Sequence, residues 1–256
     1  MSSAGELRQM PRGVRALGAG LLAAVLLAVA ILGPAPSAAA ERGGPDAYGY
    51  VWVDSRAPSP VVRFSWVDVA ATGTRVTLKD DDCSLELNLG FQFRFYGTIV
   101  ETVHVCSNGF LTFGFPSFSP DPPIPDPAEP NDRIVALGID LDPASSGSGG
   151  VYIRSDATST PRRFVATWNG VYQAFTTRAQ TFQIILEQNS TAYDGRILVQ
   201  YKTLKQVSSG LVGIENRTGS SGLAYGGTLE DGLAVAFLPP SDAGLPPDTL
   251  TATPVS

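Results

Sequence analysis

From Tyr48 onward, apolar side chains recur at every second position or in short continuous runs, and no stretch of about twelve residues keeps the spacing of an amphipathic helix. The runs are Tyr50 to Val53, Val61 to Val69, Arg75 to Leu78, Leu85 to Leu89, Phe91 to Phe95, Val100 to Val105, Phe110 to Phe115, Ile134 to Ile139, Val151 to Ile153, Arg163 to Trp168, Phe182 to Leu186, Arg196 to Tyr201, Leu211 to Ile214 and Leu233 to Phe237. Gly, Pro, Asn and Asp separate them at close intervals, and these residues end ladders because they lack a donor or favour turns. Short strands so spaced predict an all-β chain: a single β-sandwich-like domain of many short antiparallel strands. The roughly 190 residues from Tyr48 to Leu238 suit one such domain.

Three stretches fall outside that rhythm. Pro116 to Pro130 holds seven prolines, and because proline cannot donate to a sheet ladder this segment is expected to be a long Pro-rich surface loop. Loops of this length often carry function, which makes it a place to look for a contact surface. The tail, residues 239–256, is Pro-rich with few large apolar side chains and is expected to be disordered. At the other end, Arg8, Arg12 and Arg15 precede the uncharged apolar run Ala16 to Gly33, and small residues follow up to Ala38 and Ala40. A basic stretch, an apolar stretch and an Ala-x-Ala site are the parts of a secretory signal peptide, so residues 1–40 are expected to be removed after Ala40. A retained membrane anchor is the alternative, since about 18 apolar residues lie at the lower limit for spanning. The exported domain is then expected to span residues 41–238.

Composition sharpens this picture. The 27 Gly and 20 Pro make nearly a fifth of the 256 residues, against roughly 12% in average proteins, which favours turns over helices. With 43% hydrophobic and only 16% charged residues the chain can bury a core, so an intrinsically disordered acidic chain is excluded. Removing residues 1–40 takes three Arg and one Glu from the 18 basic and 24 acidic residues, leaving 15 against 23 and a net charge of about −8. Such a surface repels nucleic acid and anionic membranes, and neither is expected as a partner. Cys83 and Cys106 can pair in only one way, as a structural disulfide permitted in an oxidising compartment; two unpaired buried thiols are the alternative.

Candidate chemistry is sparse. His104 is the only histidine, which excludes multi-His metal centres and leaves one candidate base. It lies in the alternating run from Val103 to Val105, sharing a face with Thr102 and Cys106, and no Gly-x-Ser-x-Gly elbow accompanies it. A partly exposed strand histidine is expected. Asp140 and Asp142 would share one face of a strand, and Asp80, Asp81 and Asp82 form an acidic turn. Clustered carboxylates suit Ca²⁺, with Asp140 and Asp142 as the metal candidates; the competing reading is strand-end chemistry, in which each carboxylate accepts from nearby backbone N–H groups. Neither cluster has the spacing of a dedicated calcium loop. Ser107, Asn108 and Gly109 read as a tight turn, and Ser145 to Gly150 as a flexible loop lacking the ending of a phosphate cradle. Asn189 and Asn216 open N-glycosylation patterns, which are expected to be chance because the Ala-, Gly-, Pro- and Arg-rich usage reads as bacterial.

Longer motifs carry a resemblance. Phe93-Arg94-Phe95-Tyr96-Gly97, followed by the segment Val103 to Gly114 with Ser107-Asn108-Gly109 at its centre, resembles the signature of nidogen-like extracellular domains and their relatives in secreted bacterial proteins. Similar segments follow in the same order: Asn131 to Ile134, Ile139 to Pro143, Gly150 to Tyr152, Arg163 to Asn169, Thr181 to Leu186 and Val212 to Asn216. The chain departs from the pattern at Gly138 and Ile139, where the family places Trp and Asp. The resemblance implies an extracellular β-sandwich-like module without catalytic residues of its own; apart from the Ca²⁺ reading above, no cofactor is expected.

Two functions follow as expectations. The first is a secreted, non-enzymatic binding or adhesion module that contacts an extracellular protein or glycan through loops. The second is a secreted hydrolase using paired carboxylates or His104, which requires Asp140, Asp142, His104 or Glu215 to converge in a concave site.

Overall fold

The alternating runs become strands of two antiparallel sheets. The computed structural model describes residues 42–56, 62–117, 119, 122–188, 195–207 and 209–241. The expected signal peptide with its cleavage site at Ala40, the glycosylation pattern at Asn189 and the tail beyond Ser241 lie outside the described residues. In chain order the elements are β1 (Arg42–Gly43), β2 (Val51–Asp54), α1 (Val69–Thr72), β3 (Thr74–Val76), β4 (Leu87–Phe95), β5 (Thr98–Cys106), β6 (Phe110–Thr112), β7 (Arg133–Gly138), β8 (Leu141–Asp142), β9 (Gly150–Asp156), β10 (Arg162–Gln173), β11 (Ala179–Gln188), β12 (Gly195–Thr203), β13 (Leu211–Glu215), β14 (Gly222–Ala224) and β15 (Ala234–Leu238). One sheet runs β1-β2-β15-β12-β11-β10-β9-β3, with β8 pairing to β10 beyond the start of β9; the other runs β14-β13-β7-β6-β5-β4.

Period-two burial holds the layers together. Phe93, Phe95, Val105, Leu111, Ile134 and Ala136 of the smaller sheet pack with Phe164, Ala166, Trp168, Phe182, Ile184 and Val199 of the larger one in a single apolar cluster. Burying each of the larger of these side chains stabilises the fold by about 1.5–3 kcal/mol, so this inner layer is the main driving force. The motif from Phe93 to Gly97 has a double role. Its phenylalanines enter the core, while Tyr96 and Gly97, both at positive φ (45° and 80°), form the two-residue turn between β4 and β5.

Both outer faces are also apolar, and the chain covers each with a non-strand segment. On the larger sheet Val165, Ile185, Leu198 and Ala236 form a second cluster with Val62 and Val69, against which Phe64 and Val67 pack. Beside it Thr167, Gln183 and Gln200 stand opposite one another across β10, β11 and β12, all fully buried. The two glutamine amides serve the strap above: Ser65 N–H donates to Gln200 Oε1 (3.0 Å), while the Gln183 amide donates to Val67 O (3.1 Å) and accepts from Val67 N–H (3.2 Å). This corrects the expectation of a strand over Val61 to Val69. Its described part alternates because one side faces the sheet, yet its backbone bonds go to side chains and to a local turn, Val69 N–H to Val67 O (2.9 Å), rather than to a ladder.

Other boundaries moved for local reasons. The runs Leu85 to Leu89 and Phe91 to Phe95 fuse into β4 across an irregularity around Gly90, at φ 82°. The run from Phe110 stops at Thr112, where the Thr112 hydroxyl accepts from Gly114 N–H (3.0 Å) and donates to Asn131 O (3.1 Å).

The smaller sheet is covered by the Pro-rich loop. Ile124 turns inward onto Cys106, Phe110 and Val135, while Pro123, Pro125 and Pro127 face outward. Beneath lies a fully buried ion pair, Arg133 Nε to Glu215 Oε1 at 3.0 Å, joining β7 to β13. Arg133 also donates to Pro122 O (2.7 Å) and Pro123 O (3.2 Å), and Glu215 Oε2 accepts from Asp126 N–H (2.7 Å). Proline keeps its acceptor while lacking a donor, so a buried guanidinium is the complementary partner.

Removing one member of a buried pair strands the other's charge, so Arg133→Met is expected to cost about 3–5 kcal/mol in urea unfolding. The double change Arg133→Met with Glu215→Gln, which neutralises both groups and keeps an acceptor for Asp126 N–H, should be less destabilising than the single change.

Candidate functional site

At one end of the sandwich β5 turns into β6, β7 leads into β8 and β10 turns into β11. The connections are fixed from within. Cys83 and Cys106, 23 residues apart, form the disulfide, and Ser84 N–H to Val105 O (2.9 Å) and Ser107 N–H to Asp82 O (2.7 Å) flank it. The Trp168 indole N–H is shared between Cys106 O (3.2 Å) and Ser107 O (3.0 Å), tying the turn to the larger sheet. Gly109 sits at φ 81°, and a Cβ there would lie 2.1 Å from Leu137 O, so only glycine permits the close approach. The side chain of Asn108, only 3% exposed, bridges two loops: Nδ2 donates to Asp81 Oδ1 (2.9 Å) and Oδ1 accepts from Leu141 N–H (2.7 Å).

That bridge brings the two acidic clusters together. Carboxylate oxygens of Asp80, Asp81 and Asp140, all exposed, lie within 4.8 Å of one another. Partial burial, and then repulsion among these carboxylates and Asp142, raises the carboxyls of Asp80 and Asp140 above their ordinary values. Asp142 plays the strand-end part, accepting from Ala144 N–H (2.8 Å) and Ser145 N–H (3.0 Å). The ligand-like set is therefore Asp80, Asp81 and Asp140 rather than Asp140 with Asp142, and it offers oxygens to a hard cation or to a basic side chain. Alongside, Ala174 N–H donates to Asp140 O (3.0 Å), and the next residue, Phe175, is 99% exposed at φ 58° on the β10–β11 hairpin tip.

The remaining candidates lie apart. His104 is half-buried on β5, its Nδ1 2.8 Å from Ser84 O. Glu215 is held under the Pro-rich loop by Arg133, and burial pushes its carboxyl up despite the Asp126 N–H and that guanidinium. Among the described residues no hydrogen bond or ion pair joins His104 or Glu215 to Asp140 or Asp142. Asn216 Oδ1 caps its own turn, accepting from Ser220 N–H (3.0 Å) and Ser221 N–H (3.2 Å). In the Ser145 to Gly150 loop, Ser148 Oγ accepts from Tyr172 N–H (3.0 Å).

Sequence reasoning passed over Asp46, which accepts from the N–H groups of Tyr48, Gly49 and Tyr50 and, through its other oxygen, from the Tyr96 hydroxyl (2.6 Å). The available signal was an Asp three residues before a Gly, a local capping pattern. It also passed over the group of buried Asp54 and Tyr225 with half-buried Arg56, in which the tyrosine hydroxyl donates to Asp54 Oδ2 (2.9 Å) and accepts from Arg56 NH1 (2.8 Å).

The family model described as NIDO related matches residues 61–231, two thirds of the chain. No curated protein and no solved structure gives a significant match.

Closing a loop of this size with a disulfide contributes roughly 3 kcal/mol in the chain-entropy model, so a reducing agent should lower the melting temperature, and the Cys83→Ser/Cys106→Ser double variant should not respond to it. Carboxyls held above their ordinary values oppose folding once ionised, and that opposition fades as pH falls through them. Asp140→Asn is accordingly expected to melt higher than the wild type at neutral pH, with the gain vanishing toward about pH 4, near the ordinary aspartate value.

Proposed function

The chain belongs to the NIDO-related family, and from that premise we propose that it is a secreted, non-enzymatic binding or adhesion module that contacts an extracellular protein or glycan through the loops at one end of its sandwich. The observation that carries this reading is the construction of that end. A disulfide, a shared indole N–H and the two-sided amide of Asn108 hold loops whose outward face carries Asp80, Asp81, Asp140 and a bare Phe175. An exposed aromatic in the left-handed region is held against both its hydration and its backbone preference. A partner that buries it would recover the apolar part of that cost. The neighbouring carboxylates favour a partner with basic groups.

The disulfide and the family both speak for an oxidising, extracellular setting. Against the hydrolase stand the separate engagements of its candidates: His104 beside Ser84 O, Glu215 with Arg133, and Asp142 in a turn. General acid–base work needs such groups within reach of one reacting atom.

The test is a screen of extracellular proteins and glycans immobilised on a surface, run with and without about millimolar Ca²⁺, the range of extracellular calcium modules. A specific partner is expected whose affinity drops at least tenfold for Phe175→Ala and for Asp80→Asn/Asp140→Asn. A partner indifferent to all of these substitutions would remove the loop end as the contact surface, and hydrolysis of an arrayed glycan abolished by Asp140→Asn would overturn the non-enzymatic reading.

A further inference from the structure

A second surface lies on the smaller sheet, away from the loop end. Strand β5 is nine residues long, but its two neighbours do not cover it equally. β4 pairs with Thr98, Ile99, Val100, Thr102 and Val103, whereas β6 pairs only with His104, Val105 and Cys106. β6 ends because its chain is drawn off toward the segment before β7, with Phe113 N–H donating to Asp132 O at 2.9 Å. Among the described residues, nothing pairs with Thr98–Thr102 on the side that β6 vacates. The other side of β4, at the sheet's end, is treated differently: Leu89 O accepts from the Ser155 hydroxyl and Gln92 O accepts from Gln188 Nε2 (2.6 Å).

The vacated place is a notch of about 390 Å³, walled by Thr98–Thr102 on one side and by Phe113, Asp132 and Arg217 on the other. Its apolar contributions are Ile99, 44% exposed, Val100 and Phe113. Asp132 is only 7% exposed and sits at φ 55°, and its carboxylate has no hydrogen-bond partner among the described residues. Burial raises that carboxyl to about 6, with Arg217 drawing it down and Glu129 pushing it up. Arg217 makes no ion pair with it. Glu101, bonded to Gln92 Nε2 at 2.8 Å, adds a further negative charge to the strand wall.

We infer that this notch accepts an extended peptide segment of another protein, which adds to β5 as a strand in the line of β6, sets apolar side chains on Ile99 and Phe113, and directs a Lys or Arg toward Asp132. Two kinds of chemistry recognise the same ligand. The unpaired N–H and C=O groups of a strand edge are matched by another strand and give affinity without regard to sequence. The side-chain alternation and the Asp132 carboxylate, which lines the notch without an ion pair, supply selectivity, because a peptide that brings a cation there gains a charge-assisted bond. Five residues of free edge span about 16 Å at strand rise, so the bound segment is about five residues long. This goes beyond the loop-end reading and uses none of its residues.

Panning a random seven-residue peptide library against the full chain tests it. Enriched peptides are expected to alternate apolar and polar residues and to carry a Lys or Arg at a fixed position. A fluorescein-labelled copy of the top peptide should lose at least tenfold in affinity for Ile99→Lys, lose less for Ile99→Ala, lose its preference for the basic residue with Asp132→Asn, and bind Asp80→Asn/Asp140→Asn like the wild type. Hydrogen exchange should slow in the fragment spanning Thr98 to Thr102 when the peptide is bound. Failure to enrich any peptide overturns the inference, as does unchanged exchange in that fragment. Enriched peptides that respond to Asp80→Asn/Asp140→Asn and not to Ile99→Lys overturn it while supporting the loop-end reading. A concentration-dependent dimer abolished by Ile99→Lys would assign the notch to a second copy of the chain and overturn it as well.

Discussion

Every layer of this fold depends on one constraint: both faces of each sheet carry apolar residues, so two sheets packed together still leave two surfaces to cover. The inner layer solves the ordinary problem of a sandwich by interdigitating the alternate residues of both sheets. The outer faces require extra chain. On the larger sheet the cover is the strap around Val62 to Val67, fixed by the buried amides of Gln183 and Gln200; on the smaller it is the Pro-rich loop, fixed by Arg133 and Glu215. In both places a buried polar side chain bonds to backbone that a ladder does not satisfy: Ser65 and Val67 on the larger sheet, Pro122, Pro123 and Asp126 on the smaller.

The same logic shapes the loop end. Strands alone would leave the connections around Asn108 loose, and like charges on neighbouring loops would drive them apart. The disulfide, the indole of Trp168 and the amide of Asn108 keep Asp80, Asp81 and Asp140 together in spite of their repulsion. A surface held against its own electrostatics is preorganised for positive charge, since a cation or basic side chain meets carboxylates already gathered.

Sheet edges complete the account. Natural sheets blunt their exposed edges to avoid pairing with other chains. Here the outer edge of β4 is capped by Ser155 and Gln188, while the inner edge of β5 stays open beside a buried aspartate. The contrast lies within one hairpin, so it is not explained by a general lack of capping groups in this part of the chain.

By itself the sequence determined the strand content, the two antiparallel layers, the one way the cysteines can pair and the family, because alternation, turn residues and motif order are local properties. It determined less where a local pattern has two physical realisations. The run Val61 to Val69 alternates as a strand does, and only the facing amides of Gln183 and Gln200 decided that its described part is a strap. Asp140 and Asp142 look equivalent in sequence, yet a turn claims Asp142 while the Asn108 bridge delivers Asp140 to Asp80 and Asp81. Glu215 reads as a candidate acid until Arg133, 82 residues away, is placed against it. Asp132 and the open edge of β5 give no sequence signal at all, because an unpaired edge is defined by where a neighbouring strand stops. Local chemistry fixes what each segment can become; long-range contacts, whose partners lie tens of residues apart, decide which of its polar groups are spent inside the fold and which remain free to meet a ligand.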